Sequence, residues 1–595
     1  MSNATKRAYL KVLQGGGTFM KHIKMFRAAL AALVTVVLTS QAKAIDIFVS
    51  PTGSGEKTGM NWSNALNGSN DGWHIDVKNA ITAAVASEAE EVNVYLAAGD
   101  YTVTNQLALS SITIPVKFSG GYVGATDGSF AKSEELKTTL KRSTYNSRFL
   151  YGSSLSNLTI DSMVFSDGKV KGADEGGAIK LVSSNTMIIS SEFLRNSVEK
   201  ASSYQRPKGG AIGVNGGSLS VLKSSFLSNS LVTTYATTWG GAIFTLKANL
   251  KVHDCIFSGN KAGAANYGGI GGAICANGYE VSIVNCIFEN NLAYTNSGTG
   301  TGIPTGGALA IRSATYFKME DCVLTNNYSK VTNKTKSSPV IAGLYLDDLY
   351  KTDGVMTAAV TRCVFDSFRV SKNGNYTKSD IVLNCGYLFM TNCLVAGASG
   401  THSDMTNSVR VIRASSPSKS DFNDLQRGGT SSAHTVVCPS HAELVNCTIV
   451  DGVGAGAVAI GDATISIKNS IIQGHTVTSV VNPTSVEYCC LQEEHEGEGN
   501  FVPESEEALN WTGAPYYHLL TKKANGAITN GWFSGTFESA KTSADSPCID
   551  AGAPGSVGLD LEPYYSGRRV NIGAYGGTPW ASKTSPLPGF KLIVR

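Results

Sequence analysis

A right-handed parallel β-helix is the fold this sequence predicts, and three periodic observations predict it. Gly-Gly-Ala recurs at Gly176-Gly177-Ala178, Gly209-Gly210-Ala211, Gly240-Gly241-Ala242, Gly271-Gly272-Ala273 and Gly306-Gly307-Ala308, every 31–35 residues. Phe-x-x-Asn keeps step with it at Phe193/Asn196, Phe226/Asn229, Phe257/Asn260 and Phe288/Asn291, with Leu324/Asn327 as a degenerate copy. A third slot in the same unit is cysteine at Cys255, Cys286, Cys322, Cys363, Cys393, Cys447 and Cys489. Motifs in phase at such a period mark a solenoid, in which each repeat buries its apolar face only against its neighbours.

Each unit reads as three short strands and leaves no room for a helix. One strand follows the Gly pair (Ala242–Leu246), a second alternates up to the Phe (Leu250–Phe257), and a shorter third follows the Asn. Equivalent strands stacked about 4.8 Å apart give three parallel sheets. The Gly pair permits a sharp turn into the first strand. The Asn tolerates a left-handed turn and can bond both its own backbone and the next Asn of the stack.

The cysteines refine this picture. Twelve in an exported chain first suggest disulfides. Seven, however, share one slot, filled elsewhere by Met163, Ser191, Ser224 and Ser470, and alternate with polar neighbours such as Asp254, Asn285 and Asp321. That pattern predicts an inward ladder of reduced thiols reaching about residue 490. Cys489 and Cys490 are adjacent and should face opposite sides.

The ends are read separately. Lys21, Lys24 and Arg27 precede the apolar run Ala28–Thr39, and Ala42-Lys43-Ala44 follows as a small-x-small site. Residues 1–44 therefore read as a signal peptide, with residues 1–19 adding nothing to it and Met20 or Met25 available as the start. A secreted or bacterial cell-surface location is expected, with no transmembrane helix in the mature chain. Residues 45–91 read as an N-terminal cap. Within it, 75–91 form an amphipathic helix with Ile75, Val77, Ala80, Ile81, Ala84 and Val85 on one face. The β-helix proper is assigned to 92–490, and 491–595 to an irregular closing segment. The formal charge of +3 belongs to the leader: residues 1–44 carry seven Lys or Arg and no acid, which leaves −4 beyond them. That balance gives no electrostatic case for nucleic-acid binding.

The Gly-Gly-Ala-Ile and Phe-x-x-Asn pair resembles the repeat of the polymorphic outer-membrane protein family of surface adhesins and autotransporters. The opening Ile47-Phe48-Val49-Ser50-Pro51-Thr52-Gly53 with Trp62 is similar to that of secreted bacterial proteins of the right-handed β-helix superfamily. Ser546-Pro547-Cys548-Ile549-Asp550-Ala551-Gly552 and Asn571-Ile572-Gly573-Ala574-Tyr575-Gly576-Gly577 resemble the closing segment of β-helix surface proteins with an anchor region. The resemblance implies export and this fold, and an adhesion or glycan-binding role. An autotransporter barrel would need many alternating strands after the helix, and the last hundred or so residues do not alternate that way.

Candidate sites are of two kinds. Acidic and basic positions come first, because related β-helices include polysaccharide lyases and hydrolases. The row Asp254, Asn285, Asp321, Arg362 mixes charge and amide without a second acid row, which fits a solvated outer face. Asp347-Asp348 with Asp353 reads as an acidic surface turn, and Glu493-Glu494-His495-Glu496 as a solvated charge run. His434 and His441 lack a third ligand nearby in sequence, so neither a metal nor a cofactor is assigned. Aromatics in the loops before the Gly pairs are the second kind: Tyr204, Tyr235, Trp239, Tyr267 and Tyr294. Stacked coils would align them along one edge, where rings can stack on sugars or anchor a protein partner. The expected function is therefore a non-catalytic adhesion or glycan-binding scaffold, with an extracellular glycan or a host or matrix protein surface as partner. An extracellular polysaccharide lyase or glycoside hydrolase is the alternative, and a structural envelope protein the third reading.

Overall fold

The computed structural model describes residues 43–583 apart from 125–129, 143–145, 173–174, 201–205, 235, 266–267, 297–303, 332–339, 348–354, 367–368, 371–377, 384–385, 397–406, 413–439, 453, 461, 513–515, 523–525, 530–535, 540–541 and 564–566. The chain forms a parallel β-helix. Each coil lays its strands on the equivalent strands of the coil before: Ile212 pairs with Ile243, Phe226 with Phe257, and Ser230 with Lys261, all in parallel register. Among the described residues the largest sheet holds 24 strands, the second 13 and the third 7. Within them the third sheet is traced to Arg369–Val370 and the second to Cys490–Leu491.

The strand boundaries differ from the sequence expectation in one informative way. Ile243–His253 is a single strand of eleven residues, and the expected second strand breaks at Asp254, with Ile256–Ser258 starting a new sheet. Asp254 has φ +55°, and Asn285, Asp321, Arg362, Asn392, Asn446 and Asn469 repeat the left-handed conformation in later coils. One such residue per coil makes the corner between the first and second sheets. Alternation alone could not locate it, because polar residues at a corner and on a strand face read alike.

The interior is built of three ladders. Phe165, Phe193, Phe226, Phe257 and Phe288 stack with ring centroids 4.7–5.0 Å apart and planes within 13°. The cysteine slot is inward as expected. Cys255, Cys286, Cys322, Cys363, Cys393, Cys447 and Cys489 are all buried with free thiols. Each donates to the carbonyl two residues back, as Cys255 does to His253 O at 3.1 Å. Cys385 and Cys438 lie outside the described residues. The Asn ladder forms too. Asn196, Asn229, Asn260 and Asn291 each donate from Nδ2 to the next Asn Oδ1 at 2.9–3.0 Å, and Asn327 ends the series. Yet the left-handed residue is not the Asn. It is the one before: Arg195, Ser228, Gly259, Asn290 and Asn326 have φ of +52° to +66°. The Asn side chain turns inward instead, because its donors and acceptor are all satisfied there.

At the N-terminal end the coil begins earlier than residue 92. Ala44–Ser50 pairs in parallel with Glu91–Ala97, Ile47 opposite Val94. Helix α1 spans Asp76–Ala86 and buries Val77, Ile81 and Ala84 against this end. Ile75 falls off the expected face. It sits at the N-cap and is exposed. The helix stops short of 91 because Glu88 turns left-handed (φ +59°) before the next strand. Among the described residues no helix is long and apolar enough to cross a membrane.

The C-terminal segment closes the last rung and also does something the repeat does not announce. Phe501 pairs with Cys490 at the end of the second sheet. The chain then returns along that sheet's outer face. Tyr517, Ala574 and Tyr575 pack on Val364, Leu394 and Val450, with Val323, Trp511 and Trp580 beside them.

Candidate functional site

The left-handed corner row continues past the four positions singled out in the sequence, Asp254, Asn285, Asp321 and Arg362, and there becomes a docking strip. Its last members hold the returning segment. Asn392 Nδ2 donates to Ala574 O (3.0 Å) and Gly576 O (2.7 Å), and Asn446 Nδ2 to Gly576 O (3.1 Å). Asn469 donates to Ser556 Oγ (3.0 Å) and accepts from Ala553 N (2.7 Å). The segment is braced from within by Glu562, whose Oε1 accepts from Asn571 N (2.8 Å) and Gly577 N (2.7 Å). The two closing motifs of the sequence, around Cys548 and Asn571, are thus the parts that grip the helix.

Where this cover ends, a cleft of about 330 Å³ opens, lined by Asp321, Arg362, Asn392, Leu561, Gly577, Thr578, Pro579 and Trp580. Its floor is the corner row. Arg362 donates in bidentate fashion to Asp321 (Nε–Oδ1 2.7 Å, Nη2–Oδ2 2.9 Å) and also to Glu320, which pairs in turn with Lys318. The Asp321 and Glu320 carboxylates raise the guanidinium above its ordinary pKa. Lys318 first, then Arg362, hold Glu320 below the usual carboxylate range. Two cations and two anions cancel, so the cleft floor is polar without net charge. Arg362 reaches this position through φ +51°. That conformation costs a residue other than Gly, Asn or Asp about 1–2 kcal/mol. Every coil requires it at this corner, and Ser162, Ser190 and Lys223 adopt it in earlier coils.

The other wall is Trp580, half-buried. Its carbonyl accepts from His518 Nε2 at 2.8 Å, and its amide donates to Thr578 Oγ1 at 3.2 Å. His518 is fully buried, and desolvation pushes its pKa down to about 4. The ordinary value is 6.5. As pH falls from 6.5 the unfolded imidazole takes up a proton that His518 refuses until about pH 4. Stability is therefore lost through that window, by up to about 3 kcal/mol at about 1.4 kcal/mol per unit. Proteolysis of residues 500–583 should accelerate between pH 6.5 and 4, and His518→Gln should flatten this dependence. An unchanged cleavage profile in the variant would contradict the assignment.

Of the five residues expected on the loop edge, Trp239 and Tyr294 lie among the described residues, and both pack against the coils. Trp239 is 2% exposed. Its ring packs on Phe244 at 5.8 Å, with Arg206 (5.3 Å) and Lys208 (5.4 Å) over its face. The reason is a short extra ladder ahead of the Gly pairs, Thr238–Trp239 on Gly269–Ile270, which draws it onto the outer face of the first sheet. Tyr294 lies in the third strand, and its half-buried ring fills the space over Gly263 of the preceding coil, where a Cβ would meet it at 1.9 Å. Tyr204, Tyr235 and Tyr267 lie outside the described residues.

The remaining charged candidates are engaged structurally. Asp347 is a fully buried strand residue rather than part of a surface turn. It pairs with Arg312 at 3.3 Å and accepts from Tyr345 Oη at 3.3 Å. Asp348 and Asp353 lie outside the described residues, as does His434. Glu493 of the charge run accepts from Thr478 Oγ1 (2.6 Å) and Ser479 N (2.7 Å). His441 Nδ1 bonds Thr464 Oγ1 at 2.7 Å. No group of three His, Cys, Asp or Glu among the described residues is placed to hold a metal ion. No family model matches the chain, and neither a curated protein nor a solved structure does.

Proposed function

We propose that this protein is a non-catalytic, extracellular glycan-binding scaffold, and that its binding site is the cleft between Trp580 and the Arg362–Asp321 corner. One observation carries the reading: a tryptophan and planar hydrogen-bonding groups whose charges already cancel line the same cleft. A sugar presents an apolar C–H face to a ring and hydroxyls to such groups. Without net charge in the floor, the ligand is a neutral saccharide rather than a uronate or an amino sugar. The volume suits one or two sugar units, near the lower end for small-ligand sites. Beyond the cleft the row continues uncovered as Asn285 and Asp254, one planar group per coil, which supports a track for a longer chain. The repeat and closing motifs that resemble surface β-helix proteins, together with the signal-like leader, agree with display outside the cell.

The test is an array of neutral and acidic glycans probed with residues 45–595 and with Trp580→Ala. Binding to neutral glycans is expected, weakened about tenfold or more in the variant, since a stacked ring is worth about 0.5–1.5 kcal/mol beyond its buried area. Equal binding by both proteins would move the site elsewhere. Release of unsaturated or reducing sugars would overturn the non-catalytic reading. It would favour the lyase or hydrolase alternative, for which the buried Arg312, Asp347 and Tyr345 group on the outer sheet face is the structural starting point.

A further inference from the structure

Two cysteines stand apart from the ladder. Cys490 follows the last ladder thiol, Cys489, and so faces the opposite way. Cys489 belongs to the helix interior, whereas Cys490 lies in a separate cluster on the outer face with Ile471, Leu509, Leu519, Cys548 and Ile572. Cys548 comes from the returning segment. Both residues are fully buried. The ladder thiols all point the same way on parallel strands and are each occupied by a carbonyl of their own coil. Among the described contacts neither Cys490 nor Cys548 has such an acceptor. Cys490 Sγ instead accepts from Gln473 Nε2 at 3.6 Å, and Cys548, also a free thiol, packs with Cys490 in that one buried cluster. The two belong to crossing segments, the strand end Cys490–Leu491 and the turn that follows Ser546, and not to neighbouring rungs. Two thiols brought together across a junction, in a chain expected to leave the reducing cytoplasm, have the setting of a structural disulfide.

We propose that Cys490 and Cys548 form a disulfide that staples the C-terminal segment to the last coil of the helix. The reaction is thiol–disulfide exchange. One thiolate attacks a sulfur of an external disulfide, either a small-molecule disulfide or a protein oxidant of the exporting compartment, and expels one thiolate. The second cysteine, deprotonated, attacks the mixed disulfide and expels the other. The external disulfide gains two electrons and leaves as two thiols, and the two cysteines lose them. The bond must form as the segment docks, because burial in the finished structure closes both sulfurs to oxidants and pushes the Cys548 thiol up. The consequence reaches the cleft: the stapled segment is the one that carries Trp580. The inference rests on the junction alone, so it stands or falls independently of any glycan.

The experiment is refolding of residues 45–595 with reduced and oxidised glutathione, blocking of free thiols, and non-reducing tryptic mapping. A linked pair is expected between peptide Asn469–Lys522 and peptide Thr542–Arg568. Cys489→Ser should retain the link and Cys490→Ser should lose it, which separates the two adjacent cysteines. Reduction should make residues 500–583 several-fold more sensitive to protease while the coils stay protected. Recovery of Cys490 and Cys548 both as blocked free thiols from natively folded, oxidatively refolded protein would overturn the proposal. So would a link that survives Cys490→Ser and disappears in Cys489→Ser.

Discussion

Asn260→Leu should cost the protein about 3–6 kcal/mol and open the helix at that coil. Leu has the same branched four-atom skeleton as Asn, so its bulkier methyl groups add a secondary strain at this fully buried site. The loss is of hydrogen bonds. Asn260 Nδ2 donates to Phe226 O (2.9 Å) and Asn291 Oδ1 (3.0 Å), and its Oδ1 accepts from both Asn229 N and Asn229 Nδ2 (3.0 Å each). After substitution the Phe226 carbonyl and two donors of Asn229 stay buried without these partners. Each stranded group costs about 1–3 kcal/mol. Asn291 Oδ1 keeps the Asn260 backbone amide and Asn229 Nδ2 keeps the Phe193 carbonyl, which holds the sum to the lower part of that range. Because coils hold one another only as neighbours, the defect should split urea unfolding into two transitions instead of merely shifting one. A single transition within 1 kcal/mol (about a fivefold change in the folding constant) of the parent would refute the ladder's role.

Gly241→Ala should be at least as damaging, for a steric reason. A Cβ there would sit 1.9 Å from Gly272 O and 2.7 Å from the backbone of Lys261. Both obstacles are main chain, one in the Gly turn of the next coil and one at the start of the strand Lys261–Ala264, so no rotamer change can relieve them. The coils would have to part, breaking the stacked turn bonds Gly241 N to Gly271 O (3.0 Å) and Ala242 N to Ala273 O (2.8 Å). The cost should exceed the usual range of about 0.5–3 kcal/mol for a point mutation. Gly555→Ala is the control. It has φ +71° and nothing within 4 Å of the added Cβ, so only backbone strain of about 1–2 kcal/mol is at stake. Thermal unfolding of the pair compares the two directly, and equal losses would contradict the steric account.

These two positions belong to what the sequence states openly. Gly241 and Asn260 recur with a fixed period because every coil needs the same turn and the same inward amide. What periodicity cannot state is what happens once per chain. Trp580 lies in an aperiodic stretch, and nothing near it in sequence reveals that it returns to Arg362. The corner row was visible as a polar row, but solvated, ion-paired and docked residues are chemically the same types. Asn392, Asn446 and Asn469 differ from Asn285 only in having the C-terminal segment over them. Trp239 misled for the opposite reason. Its position ahead of a Gly pair reads as loop, while Lys208, Trp239 and Ile270 continue a ladder there that has no residue signature of its own. Cys490 was legible as outward from its adjacency to Cys489, but its partner across the junction was not.

The most direct test of the binding site uses the tryptophan side chains themselves, six in the chain. With indole nitrogens labelled, each gives one nuclear magnetic resonance signal, and Trp580→Phe and Trp239→Phe identify two of them. Titration with a neutral glycan that binds on the array should shift the Trp580 signal and leave that of the buried Trp239 in place. Movement of the Trp239 signal with Trp580 unchanged would contradict the cleft and return the site to the loop edge.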